Sequence, residues 1–323
     1  MDNIISQIQE ERTLKPSTIK QYRTSIKKIF DMFNDENIST DFDFLKDTKK
    51  VMEKIGKEKV TQQKNRIGMI LVLLGLDKER YEKEIDIYRN IAQKLRDKHD
   101  GFIDKQIKTE KQEANWIDYK QYIRLLNKYK REIKKSFSHS HKKLDKKHYT
   151  LLQEYLFLLL FNDFPFRNVY ATIKVIEEKE YNEKYRDEHT GNWLILKNGT
   201  PYEFIIHEYK TSGSYGMKTI SLKKKKSIVN ALKVWLKYNS SGYLFTQIND
   251  RSKPHSTNSF TRFVQNIFLK EFNKKIGTTL LRNIIISHEK KDEPSILEKQ
   301  KKEADIENKY HHSSEMNDKY AKK

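Results

Sequence analysis

Apolar positions in the first hundred residues recur at helical spacing. Ile19, Tyr22, Ile26, Ile29/Phe30 and Phe33 share one face behind Pro16, and Thr18-x-x-Gln21 has the form of a capping box, so a helix is predicted here. A short second helix is predicted over Phe44–Ile55, ended by Gly56, and a third over Val60–Leu74, ended by Gly75. Lys78–Asp100 carries a thin stripe of Tyr81, Ile85, Ile87, Ile91 and Leu95. Together these predict a small helical bundle with a basic exterior that includes Lys20, Arg23, Lys27, Lys28, Lys64 and Arg66.

From residue 97 the apolar period fades into mixed charge, and order restarts at Trp116. Helices are predicted over Asp118–Ile133 and Tyr149–Asn162. Past Pro165 the pattern shortens to β-rich runs, Ile173–Ile176, Trp193–Leu196, Phe204–Tyr209 and Met217–Leu222, separated by turn signals at Asn198-Gly199 and Thr211-Ser212-Gly213-Ser214. Helical periods return over Lys225–Tyr238, Asn258–Phe272, Thr279–Ser287 and Ser295–Glu303. The expected fold class is α+β, mainly α: a helical domain over 1–100, a linker over 101–114, and a mainly helical domain over 115–323 with a small antiparallel sheet.

A length of 323 residues suits two domains of about 100–200 residues each. The densest apolar run, Tyr155–Phe161, falls far short of the ~20 residues that cross a bilayer, and mean hydropathy is −0.89. Met1-Asp2-Asn3-Ile4 lacks the basic-then-apolar opening of a secretory signal, so an intracellular location is expected. The absence of cysteine excludes disulfides, thiolate zinc sites and cysteine nucleophiles. Charge changes the picture most. Lys+Arg total 65 against Asp+Glu 45, a net +20, and such a surplus points to polyanions, because each phosphate contact releases condensed counterions. An A/T-rich coding habit also yields many lysines. However, only 13 of the 65 basic residues are Arg, so a placed arginine carries more information than a placed lysine.

Four segments stand out. The first is an apolar helix running into Pro165-Phe166-Arg167-Asn168-Val169-Tyr170; a guanidinium offers a planar fork of donors to two phosphate oxygens, which an ammonium cannot. The second is Tyr209-Lys210-Thr211 at a turn between two predicted strands, with Lys218 on the return strand. The third is Gly277-Thr278-Thr279-Leu280-Leu281-Arg282, opening a helix. The fourth is His311-His312-Ser313-Ser314, with Tyr320 eight residues after His312.

In this order the four segments resemble the tyrosine recombinases, the phage-integrase-like family, and most closely in style the members carried by large eukaryotic DNA viruses and their satellite viruses. The likeness is one of general shape over the N-terminal half and of motifs over the C-terminal half. It implies that Arg167 and Arg282 bind the scissile phosphate, that Lys210 protonates the leaving 5′-oxygen, with Lys218 as the fallback, and that Tyr320 is the nucleophile. His312 takes the family's histidine position because Ser313 follows it, and His311 is the rival. Thr279 stands where a histidine is common and could only donate a hydrogen bond; Tyr170 replaces an acidic residue found more widely in the family. The resemblance further implies DNA contacts from Lys20, Arg23, Lys27, Lys64 and Arg66, a two-domain clamp on duplex DNA, a homo-oligomeric, tetrameric synapse, and no metal or other cofactor. A viral member would act in the host nucleus or a cytoplasmic factory.

A type IB topoisomerase uses similar residues and stays an alternative, as does an inactive DNA-binding relative. A lysine-rich RNA scaffold would form no covalent DNA adduct. Other motifs carry less. His139-x-His141 with His148 lacks acidic or cysteine partners for a metal, and no Gly-rich phosphate loop suggests nucleotide hydrolysis.

Overall fold

The computed structural model describes residues 1–14, 16–33, 38–137 and 144–310, the side chains of 17 and 304–310 excepted. His139, His141, His311, His312 and Tyr320 therefore lie outside the described residues. The chain divides into two compact units, Met1–Ile107 with the segment from Pro294, and Lys108–Glu293. No helix among the described residues is long and apolar enough to cross a membrane.

The first unit opens with α1 (Asp2–Glu11), α2 (Pro16–Met32), α3 (Thr48–Ile55), α4 (Val60–Leu74) and α5 (Glu82–Asp104). Its core joins Ile26, Ile29 and Phe30 of α2 to Val51 and Ile55 of α3, Ile67, Ile70 and Leu73 of α4, and Tyr88 of α5. Two buried tyrosines fasten the loop between α2 and α3. The Tyr81 hydroxyl accepts from the Phe42 N–H at 3.1 Å and donates to Asp43 at 3.1 Å, while that of Tyr88 donates to the Leu45 carbonyl at 2.7 Å.

The second unit holds α6 (Glu110–Asn115), α7 (Tyr119–Ser136), α8 (Lys146–Asp163), β1 (Ile173–Glu177), α9 (Glu178–Lys184), β2 (Asn192–Lys197), β3 (Thr200–Ile206), α10 (Ser212–Tyr215), β4 (Lys218–Ser221), α11 (Lys226–Leu236), α12 (Thr257–Phe272) and α13 (Thr278–Glu289). The last helix, α14 (Ile296–Tyr310), groups with the first unit. The fold is α+β, mainly α.

Helix α8 runs through the core of the second unit, which explains its all-round apolar sequence. Leu152, Leu156, Phe157, Leu158, Leu160 and Phe161 are buried, and the buried amide of Gln153 is satisfied by the backbone of Thr246 at 3.0 and 3.1 Å. The sheet order is β1-β2-β3-β4. Asn198 (φ 51°) and Gly199 (φ 72°) form the tight turn between β2 and β3, as two consecutive positive-φ residues allow.

Several sequence expectations need correction. The sheet is mixed: β2, β3 and β4 are antiparallel, but β1 runs parallel to β2, because α9 returns the chain to the same end of the sheet before β2 begins. Helices α1 and α9 were not anticipated. The span 101–114 is helical at both ends, with α5 running through Asp104 and α6 starting at a Thr109–Gln112 capping box. Helix α6 is set by its cap rather than by a buried apolar stripe, so periodicity misses it. The segment from Pro294, expected with the second domain, lies with the first, where the Ile296 N–H donates to Gln106 Oε1 at 3.1 Å.

Candidate active site

The end of α8 sets the first arginine. Helix termini leave carbonyls without partners, and here the Leu160 carbonyl accepts from the Phe164 N–H at 2.8 Å and the Tyr170 hydroxyl at 3.2 Å. The same Tyr170 O–H is shared with the Phe164 carbonyl, which is nearer at 2.6 Å. Burial raises its pKa well above 10, so the phenol stays protonated and serves as a brace under the Phe164–Arg167 turn. Tyr170 is thus a structural tie, and Arg167 above it is exposed.

Two asparagines then hold the neighbouring segments in place. Asn168 accepts from the Thr278 hydroxyl at 2.8 Å and donates to Thr261 Oγ1 at 3.0 Å, which donates in turn to the Thr257 carbonyl at 2.9 Å. The residue after Arg167 is thereby bonded to the first turns of both α12 and α13. Asn192, which is buried, donates to Thr172 Oγ1 at 2.9 Å and to the Glu208 carbonyl at 3.0 Å, and accepts from the Glu208 N–H at 2.9 Å. It fixes the departure of the chain from β3 towards Lys210. The hairpin is closed further on, where the Tyr209 hydroxyl donates to the Gly216 carbonyl at 2.7 Å and Lys218 Nζ sits 5.0 Å from the Tyr209 ring centre.

The result is a cleft of about 580 Å³ whose lining includes Arg167, Tyr209, Lys210, Lys218, Thr279 and Arg282. Four sequence-nominated residues, Arg167, Lys210, Thr279 and Arg282, come together from three separate stretches of chain. Among the described residues none of the three cations forms an ion pair with a carboxylate. Glu208 is the one acidic residue of the lining, and its carboxylate accepts from the Gly191 N–H at 3.1 Å. Thr278 and Thr279 open α13 behind Gly277, so backbone N–H groups of the first turn add positive potential beside the guanidinium of Arg282. Asn168, Thr278 and Thr279 also line an adjoining polar cleft of about 460 Å³ with Lys111 and Lys275. Such a cleft can hold a phosphate through forked guanidinium contacts, with an ammonium beside it.

Sequence reasoning missed the part played by Thr278, Thr257 and Asn192 and gave Asn168 no task. The signal for Asn168 was its place after the informative arginine; Asn192 offered none. Nearby His255 is buried, and burial lowers its pKa to about 4, which makes it a neutral core side chain rather than a further cation.

The nominated residues of the first unit are placed differently. Lys20, Arg23 and Lys27 are exposed along α2, with Arg23 paired to Asp2 at 2.6 Å. On α4, Lys64 lies 3.4 Å from His99 Nδ1. Arg66 is largely buried against Glu58 at 3.3 Å, so its charge is already matched.

No protein-family model matches the chain, and no curated protein does.

Proposed function

We propose that the chain is a site-specific DNA recombinase of the tyrosine type, which cuts and rejoins strands through a 3′-phosphotyrosine. One observation carries this reading: Arg167, Lys210, Thr279 and Arg282, nominated from three separate motifs, line one cleft. Arg167 and Arg282 hold the non-bridging oxygens of the scissile phosphate and stabilise the charge that grows on them. The Tyr320 hydroxyl loses its proton to water and its oxygen forms a bond to phosphorus as the bond to the 5′-oxygen breaks, and Lys210 gives that 5′-oxygen its proton. Rejoining reverses the step: a 5′-hydroxyl attacks, Lys210 takes the proton back and Tyr320 leaves. The phosphotyrosine conserves the energy of the original bond. Thr279 contributes a hydroxyl to phosphate, and His312, or His311, adds a donor. Partners are duplex DNA and further copies of the chain in a synapse.

The test is covalent trapping with labelled, nicked DNA from the flanks of the encoding element, comparing wild type, Tyr320→Phe and Tyr209→Phe. A denaturation-resistant adduct lost only in Tyr320→Phe supports the reading. Loss only in Tyr209→Phe moves the nucleophile to the tyrosine within the described cleft. No adduct with any flank, despite tight binding, overturns catalysis and leaves a DNA-binding protein.

A further inference from the structure

The hairpin between β3 and β4 carries two apolar side chains that the fold leaves in water. Tyr215 is 72% exposed and Met217 53% exposed, on either side of Gly216. Their segment is closed by hydrogen bonds rather than open. The N–H groups of Ser214 and Tyr215 donate to the Thr211 carbonyl at 3.1 Å, that of Gly216 donates to Ser212 at 2.8 Å, and the Tyr209 hydroxyl reaches the Gly216 carbonyl. Gly216 adopts φ 65°, ψ −165°, a backbone that an L-residue rarely takes, so the reversal of direction between Tyr215 and Met217 depends on glycine. A braced tip that presents an aromatic ring pre-organises the ring for a partner.

The surroundings select that partner by charge. Lys210 precedes the tip and Lys218 follows it, both in the cleft lining, and exposed Lys223, Lys224 and Lys226 follow β4, whereas Lys225 between them is paired with Asp163 at 2.6 Å. A ring with a hydroxyl edge, beside a thioether and among ammonium groups, suits a ligand with flat apolar faces and an anionic backbone. We infer that Tyr215, supported by Met217, is a wedge that stacks on an unstacked base step of the DNA whose phosphates the neighbouring lysines hold. The inference rests on the DNA reading above and adds a positioning residue to it. Stacking on the hairpin that carries Lys210 fixes that lysine along the strand, which charge alone cannot do, because every phosphate looks alike.

The experiment uses the full chain and short duplexes of one sequence, either intact or with a single-base bulge, over a range of salt. The expected result is a preference for the bulged duplex on the order of tenfold. Tyr215→Ala loses that preference, Tyr215→Phe keeps it, and the salt slope stays the same in all three proteins because no cation has been removed. Circular dichroism confirms that these exposed-site variants fold. Equal binding of both duplexes by wild type, or a preference that survives Tyr215→Ala, overturns the wedge while salt-sensitive binding leaves the DNA reading intact. No salt-sensitive DNA binding overturns both. Binding to phosphatidylserine vesicles that depends on Tyr215, with no bulge preference, would assign the tip to an anionic membrane surface instead.

Discussion

The two units draw on the same lysine-rich composition, and the arginines of the first are placed differently from the cations of the cleft in the second. In the first, Arg23 meets Asp2, Arg66 meets Glu58, and Arg80 meets both Asp41 and Asp43, at 3.0 and 2.7 Å. In the cleft of the second, Arg167, Lys210 and Arg282 converge without a carboxylate partner among the described residues, on segments tied together by the amides of Asn168 and Asn192. Gathering unpaired like charges opposes folding, whereas pairing them is neutral or mildly stabilising. Cations left without a carboxylate partner can receive an external anion, which is the role the proposed function gives to Arg167, Lys210 and Arg282.

The largest break in that contrast should come at Arg167. Arg167→Lys keeps the charge and loses the fork, so cleavage should fall by roughly 10²-fold or more with no change in melting temperature. Arg66→Met should do the reverse. It leaves Glu58 half-buried without its partner, costing about 2 kcal/mol of stability in chemical denaturation while trapping activity per folded molecule is retained. Asn168→Ala tests the tie between these behaviours, since it removes the bridge from Thr278 to Thr261. About 1 kcal/mol of stability should be lost, with a cleavage defect larger than that loss explains, because Arg167 and α13 are no longer held together.

Acid should separate the units in order. Burial lowers the pKa of His255 from 6.5 to about 4, so the unfolded chain binds its proton first, and stability is lost as pH falls from 6.5 towards 4. The first-unit counterpart is Asp43, held at about 2 by hydrogen bonds from Lys46 and Arg80, whose contribution is lost only as pH falls from about 4 to 2. Hydrogen exchange should therefore show the second unit loosening first, and His255→Phe should flatten its loss above pH 4. The smallest effect belongs to Lys27, exposed on α2. Lys27→Ala should lower the slope of log binding constant against log salt by about one, without sequence preference.

Much of this was legible in the sequence. Val60–Leu74 is helical over the span its apolar spacing and Gly75 imply, and the Asn198-Gly199 pair makes the hairpin turn that its dipeptide demands. The arginines, the hairpin lysine and Thr279 could be nominated because they sit next to local signals: a helix end, a strand turn and a helix start. The roles of Asn168 and Asn192 could not be read, since a buried amide is recognised by what it bonds across the fold. Nor could the engagement of Arg66 with Glu58 be separated from the freedom of Arg167, because both are simply arginines on polar positions of a string.

The sequence by itself determined the longer helices, the four strands and the mainly helical class, and it offered residue types whose chemistry suits a phosphate, all of which follow from short-range spacing, capping and side-chain chemistry. Only the tertiary structure decided that β1 joins in parallel, that Tyr170 is a brace, and that Arg167, Lys210 and Arg282 face one cleft while Arg66 is matched by an acid. Those outcomes depend on which distant groups share a buried space, where an unsatisfied polar atom is costly and a partner at hydrogen-bond distance is worth most.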